Sequence, residues 1–334
     1  MKTPLKTWVA GARPRTLPAA IVPVVVGTAA GYLSSGRFFV TTVTVDGHSG
    51  LAGALVQHSL SLLHAFLALV VALGIQVGTN FVNDYADGVR GTDEVRVGPV
   101  RLVAGELASV RDVKIAAAIS FAIAGVAGLL LALTVSLWLI PLGLICVVAG
   151  WAYTGGPHPY GYLGFGELFV FVFFGLVATA GSAYVQHAPY VATYHGHSYN
   201  YAYNWWFVLW VGVPVGLLAA ALLQANNLRD IETDTAAGKK TLAVRLGRQN
   251  GGLLYSITLM GVALSIGVLQ HYRGWSLIAL LAMPLAFYPV RIAMSERAGR
   301  RLLPMLGATA RLQLIVGLLL AIGLLLVHPD IVNQ

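Results

Sequence analysis

The sequence predicts an all-α polytopic membrane protein with about nine transmembrane helices. Two observations lead there. Of 334 residues, 57% are hydrophobic and only 10% charged, against roughly 25% charged in a soluble domain. Apolar stretches of about 20 residues, enough to span roughly 30 Å of hydrocarbon, recur along the chain, and the mean hydropathy is +0.75. A soluble enzyme is excluded. The surplus of Lys and Arg over Asp and Glu, 21 to 13, reads as a topology signal, and nucleic acid is not expected as a partner. The single cysteine, Cys146, lies in an apolar run and reads as a small core residue, with no disulfide possible within the chain. No cleavable signal peptide is expected, because the first apolar run is too long and lacks a cleavage site.

The crossings fall at about 17–34, 61–83, 113–133, 136–153, 166–187, 206–226, 251–270, 275–292 and 309–327. Gly and Pro inside several of them are tolerable where neighbouring helices satisfy the freed backbone groups. With a cytoplasmic N-terminus, every Lys and Arg except Arg37 and Arg273 falls on the inner side, so the positive-inside rule supports both count and orientation. The longer outer loops, about 35–60 and 188–205, are rich in His, Tyr, Ser, Thr and Gly and nearly free of charge. A metal site on His195 and His197, or on His48, His58 and His64, has no acidic partner following it, so these histidines read as solvated. Trp205, Trp206 and Trp210 beside Tyr199, Tyr201 and Tyr203 have the composition of an interfacial aromatic belt.

The acidic residues carry the functional signal, since ionisable groups in a membrane protein mark sites or pathways. Asp84, Asp87, Asp93 and Glu94 follow the second crossing; Asp230, Glu232 and Asp234 follow the sixth. On a continuing helix Asn80 stacks on Asp84 and Asn83 on Asp87, while Asn226, Asp230 and Asp234 share one face. Superposing Asn83 on Asn226 superposes Asp87 on Asp230, with four crossings from one motif to the next. That correspondence points to an internal duplication of four-helix units, about 60–190 and 205–328, within one membrane domain spanning residues 1–334. Two carboxylates about 5 Å apart repel by roughly 3 kcal/mol at an effective dielectric of about 20, so facing motifs need cations. Mg²⁺ takes oxygen ligands and bridges one or two carboxylates to phosphates, which suits Asp and Asn better than zinc or iron would. Arg90, Arg96, Arg101, Arg229, Lys239, Lys240 and Arg245 stand beside the acids and suit a diphosphate. A secondary transporter also has repeats and carboxylates, but its charges belong near the midplane, whereas these sit at helix ends.

These residues resemble a known family. Asn83-Asp84-Tyr-Ala-Asp87, Gly91-Thr-Asp93, Gly98-Pro99-Val-Arg101, Asn227-Leu-Arg229-Asp230-Ile-Glu-Thr-Asp234 and Ala237-Gly238-Lys239-Lys-Thr241 are similar to the motifs of the UbiA superfamily of intramembrane aromatic prenyltransferases. The stretch Tyr153-Thr154 through Tyr160-Gly161-Tyr162 to Glu167, and the opening Arg13-Pro14-Arg15-Thr16-Leu17-Pro18, resemble its 1,4-dihydroxy-2-naphthoate branch. A third aspartate six residues after Asp87, at Asp93, is similar to that branch; the hydroxybenzoate branch has it four after, where Gly91 stands. The loop after the fourth crossing also lacks the Lys typical of the hydroxybenzoate branch.

The resemblance implies a Mg²⁺-dependent transfer of a polyprenyl group from polyprenyl diphosphate to 1,4-dihydroxy-2-naphthoate, releasing CO₂ and giving demethylmenaquinone. The alternative is a UbiA-type enzyme acting on another aromatic acceptor. The resemblance also implies a nine-helix bundle around a central cavity in the lipid bilayer, of a bacterial inner membrane, with a lateral opening for the lipid chain. Asp84, Asp87, Asp230 and Asp234 are the expected metal ligands, with Asp93 joining them in catalysis. Asn80, Asn83, Asn226 and Asn227 would assist, Arg101, Arg229 and Lys239 would donate to the diphosphate, and Tyr153 and Tyr160 would shield an allylic cation. Asp93, His158 and Glu167 are the candidates for assisting deprotonation or decarboxylation.

Overall fold

The computed structural model describes residues 4–34, 39–45, 48–54, 61–89, 101–155, 159–186, 191–194, 197–200, 204–272, 274–295 and 298–326. The chain enters through a short helix α1 (Leu5–Gly11) and a single tight turn, Pro14–Thr16, before α2 (Pro18–Ser34). The entry segment and α2 meet at 56°. Then come a hairpin β1 (Phe39–Val45) and β2 (His48–Ala54), α3 (Leu62–Val89), α4 (Val110–Thr134), α5 (Leu139–Ala152) and α6 (Gly166–Tyr184). A second hairpin, β3 (Val191–Tyr194) and β4 (His197–Asn200), precedes α7 (Trp205–Ala236), α8 (Leu242–Leu269), α9 (Trp275–Ala293) and α10 (Gly299–Leu325).

Seven of these helices are long and apolar enough to cross a bilayer, and the bent entry pair makes an eighth. The remaining expected crossing, the fourth at about 136–153, is α5, apolar throughout but only 14 residues long. All nine expected segments are therefore helical, and the chain is an integral membrane protein. The two antiparallel hairpins, paired from Phe39↔Ala54 to Val45↔His48 and from Val191↔Asn200 to Tyr194↔His197, are additions to the all-helical bundle and lie in the segments 35–60 and 188–205.

Local chemistry explains the boundaries. Ser109 caps α4 by accepting the Asp112 N–H at 3.1 Å, Asn204 caps α7 through the Phe207 N–H at 3.0 Å, and Thr241 caps α8 through Val244. Gly247, at φ 73°, breaks α8 near its start. Lipid contributes no hydrophobic drive between helices, so close backbone approach has to supply the packing. Gly27 and Gly31 on α2 let it lie against the carbonyls of Thr179 and Ala183 on α6; a Cβ at either glycine would come within 2.3 Å of those oxygens. In α6, residues Phe171–Val177 widen into a π-helical segment, and Gly175 there lies directly against Gly216 of α7. Helix α7 is the central post. Val208, Val211, Val215, Leu218 and Leu222 are buried in the main core, together with Tyr255 of α8 and Leu312 and Val316 of α10. Leucines and aromatics such as Leu133, Leu281 and Phe287 point outward, as a lipid-facing surface requires.

Candidate active site

Both acidic motifs ride on uninterrupted helix. Helix α3 runs past its apolar stretch to Val89 and α7 to Ala236, so the i, i+4 stacking expected from the sequence holds. The two helix ends meet at one mouth of a cavity of about 650 Å³. Its polar end holds Asp87, Arg101, Asn226, Arg229, Asp234 and Lys239; its deeper walls, from Val24, Ala68, Leu131 and Val177, are apolar.

Asp87 is the hub. One oxygen lies 3.0 Å from Lys239 Nζ and also accepts the Tyr162 hydroxyl, and the other lies 3.4 Å from Arg101 Nη2. Lys239 stands 3.9 Å from Asp234 as well, so one ammonium is shared by carboxylates from the two motifs. All four of these charged side chains are buried. Three loops are thereby pinned to one carboxylate. The Lys240 N–H donates to the Tyr162 carbonyl at 2.9 Å, Arg245 donates to the carbonyls of Leu163 and Lys240, and the Lys239 ammonium lies over the Tyr162 ring at 4.6 Å.

The other acids are placed differently. Asp84 turns away from the cavity and accepts the backbone N–H groups of Leu102 at 3.1 and 3.0 Å and of Val103 at 3.0 Å. Asp230 is clasped by Arg229, Nε to Oδ1 at 2.8 Å and Nη2 to Oδ2 at 2.7 Å, while Arg229 Nη2 also donates to Asn226 Oδ1. The remaining nitrogen, Arg229 Nη1, is buried with no hydrogen-bond partner. Among the described residues, no three His, Cys, Asp or Glu side chains form a metal-holding group. Asp93 and His158 lie outside the described residues.

The asparagines hold the frame. Asn83 accepts from Thr154, Asn227 donates to Glu167 Oε1 at 2.9 Å, and the Asn80 amide reaches the Ala12 carbonyl at 3.0 Å and Thr16 Oγ1 at 3.2 Å. Beside them an aromatic wall faces the cavity. Tyr160 stacks on Phe169 at 3.9 Å between centroids and meets Tyr153 edge-on at 5.5 Å. The Tyr160 hydroxyl donates to the Ala149 carbonyl, and burial pushes its pKa above the usual tyrosine range. Sequence reasoning brought Asp87, Asp234, Arg101, Arg229, Lys239 and the tyrosine wall to this cavity, but missed Tyr162 and Thr154. Both stand in the stretch that carried the branch resemblance, which was the available signal.

Residues 48–302 match the UbiA prenyltransferase family. The chain is 43% identical over 318 residues to a 1,4-dihydroxy-2-naphthoate octaprenyltransferase of Mycobacterium tuberculosis, an alignment covering 94% of this chain and 95% of that protein. Its fold is similar to the apo structure of a UbiA homolog from Aeropyrum pernix K1, with a TM-score of 0.64 at 15% identity, over 91% of this chain and 97% of the other. It is also similar to a UbiA homolog from Archaeoglobus fulgidus bound to GPP and Mg²⁺, with a TM-score of 0.55 at 14% identity, over 94% and 99% of the two chains. A match over most of its length, carried by two acidic helix ends that meet at one cavity, makes this chain a member of the UbiA prenyltransferase family.

Proposed function

We propose that the protein transfers a polyprenyl group from polyprenyl diphosphate to 1,4-dihydroxy-2-naphthoate, releasing diphosphate and CO₂ and giving demethylmenaquinol, the reduced form of demethylmenaquinone. The observation that carries the reading is the shared cation: Lys239 bridges Asp87 and Asp234, one carboxylate from each motif, at the polar end of an apolar cavity. A site that holds an ammonium between two carboxylates has the donor set a divalent cation needs when substrate phosphates supply its remaining ligands. Asp87 and Asp234 would hold Mg²⁺, with Asp84 and Asp230 behind them. The ion would neutralise charge on the departing diphosphate.

The chain's own residues do the rest. Arg229 Nη1, buried and unpartnered, is a donor held ready for a phosphate oxygen, and Lys239 and Arg101 can turn from Asp87 to the same group. The allylic carbon–oxygen bond breaks with its electron pair leaving on diphosphate. Tyr153, Tyr160 and Phe169 present ring faces and edges to the resulting cation and exclude water from it. The carboxylated ring carbon attacks. Its bond to the carboxyl group then breaks, returning electrons to the ring as CO₂ leaves. The apolar depth of the cavity suits the isoprenoid tail, whose length exceeds it and which extends into lipid.

The distribution of Lys and Arg supports a cytoplasmic N-terminus and active-site mouth, and the similarity to bacterial relatives supports a bacterial inner membrane. The like placement of the motifs at the C-terminal ends of α3 and α7, each followed by another crossing, supports the duplication of four-helix units.

The test is purified protein in detergent with 1,4-dihydroxy-2-naphthoate and an isoprenyl diphosphate, with Mg²⁺ or EDTA, followed by mass spectrometry. Mg²⁺-dependent prenylated naphthoquinol is expected. Product with 4-hydroxybenzoate alone would replace the acceptor, and no product with any acceptor from folded protein would return the transporter to consideration.

A further inference from the structure

Arg13 has no role in the reaction as described above, yet it lines the same cavity. Its guanidinium Nη2 is buried with no hydrogen-bond partner, and among the described residues no carboxylate pairs with it. Its backbone is left-handed, φ 53° and ψ 70°, a conformation unfavourable for any residue with a Cβ. Several hydrogen bonds hold it there. The Arg13 carbonyl accepts both the N–H and the hydroxyl of Thr16 at 2.9 Å, and that hydroxyl accepts from Gln76 and Asn80 of α3, each at 3.2 Å. Asn80 also donates to Ala12, next to Arg13. The polar face of α3 thus fixes the turn that aims this cation into the cavity.

Arg13 as a whole is half-buried, whereas the buried cations at the mouth are matched to acids: Arg101 and Lys239 to Asp87, Arg229 to Asp230. Those belong with the metal and diphosphate. Arg13 is anchored at Asn80, seven residues before Asp87 on the same helix, or about 10 Å along its axis at 1.5 Å per residue. That separation leaves room for an aromatic ring between the turn and the polar end of the cavity. An unmatched guanidinium in a largely apolar cavity calls for an anionic ligand with two acceptor oxygens in a plane.

We propose that Arg13 binds the carboxylate of the aromatic acceptor and so selects carboxylated rings and sets their orientation toward the allylic carbon. This rests on the reaction proposed above. The experiment measures equilibrium binding of 1,4-dihydroxy-2-naphthoate, its carboxamide and naphthalene-1,4-diol to the full-length wild type, R13Q and R13K in detergent, with KM values for both substrates. Wild type should bind the naphthoate at least about tenfold more tightly than the carboxamide. R13Q should lose that preference while binding the diol as before, R13K should keep part of it, and the KM for isoprenyl diphosphate should stay within about twofold. Equal weakening for carboxylate and diol, or a raised KM for the diphosphate alone, overturns the assignment. The wild-type comparison of naphthoate with carboxamide decides even where a variant fails to fold. Arg13-dependent naphthoate binding without prenylated product would uphold the anion site and refute the reaction, while product formation indifferent to R13Q would do the reverse.

Discussion

Lys239 and Asp87, 152 residues apart, form a buried ion pair at 3.0 Å that joins the two acidic motifs into one site. Because the same ammonium is 3.9 Å from Asp234, it occupies the position between carboxylates that a metal ion would take. In the proposed reaction Lys239 would be both a competitor of Mg²⁺ and a donor to the diphosphate once displaced. K239M should lower kcat by about 100-fold, as expected for losing one charged donor to the leaving group. It should also lower the Mg²⁺ concentration giving half-maximal rate. Mg²⁺ titrations of wild type and K239M check both; an unchanged Mg²⁺ dependence would separate Lys239 from the metal ligands.

Asp84 and Asp87 stand three residues apart on one helix but do different work. Asp84 accepts backbone N–H groups of Leu102 and Val103 and fastens the segment after residue 100 to α3, whereas Asp87 faces the cavity. Hydrogen bonds to a buried charge contribute about 1.5–3 kcal/mol each. With two N–H groups bound, D84A should therefore destabilise the fold by about 3–6 kcal/mol and expose residues 101–109 to limited proteolysis. D87A removes the Arg101 contact, at 3.4 Å, but keeps the Leu102 and Val103 anchor, so it should expose that segment less than D84A does while removing activity. A protease time course on both variants distinguishes the roles.

Asp230 is held by two charged hydrogen bonds from Arg229, whose Nη1 is left for the substrate. Replacing Asp230 by Asn removes the charge that fixes the guanidinium and leaves Arg229 buried without its counter-ion. D230N, like D87N, should reduce turnover by at least about 1000-fold with the protein still folded by circular dichroism. Near-normal kcat in either variant would contradict the assignment of that motif to the reacting diphosphate.

The fold was legible because lipid imposes one rule on every segment: a spanning chain is an apolar helix, and the charges left over mark its ends. The two Asn/Asp motifs could be matched to each other by spacing alone, since i, i+4 stacking depends only on helical continuity. Sidedness of Asp84 was not legible, because its direction is set by the Leu102 and Val103 amides, donors whose positions no spacing rule gives. Tyr162 was passed over for Tyr153 and Tyr160, since three tyrosines in ten residues look alike until a loop contact such as Lys240 N–H to Tyr162 C=O selects one. The hairpins did leave a signal. Phe39-Val-Thr-Thr-Val-Thr-Val45 is dense in β-branched residues, and Asp46-Gly47 is a hairpin dipeptide, but neither bears on the chemistry.

Gly175 tests the link between helix packing and the aromatic wall. A Cβ there would lie 2.3 Å from Gly216 Cα, so α6 and α7 cannot keep their separation with any other residue at this position. The clash is with backbone, which cannot rotate aside, and overpacking of this kind costs about 1–3 kcal/mol or more. The π-helical segment that contains Gly175 also contains Phe173, whose ring stacks at 5.9 Å on Phe169 and through it on Tyr160. Pushing α6 outward therefore moves the wall that faces the allylic cation. G175L should lower thermal stability and also raise the fraction of isoprenyl diphosphate lost to water as free prenyl alcohol, because the wall no longer excludes solvent. Product analysis by mass spectrometry at a temperature where G175L remains folded gives the ratio of prenyl alcohol to prenylated naphthoquinol. A ratio equal to that of wild type would restrict Gly175 to packing and detach the π-helical segment from the chemistry.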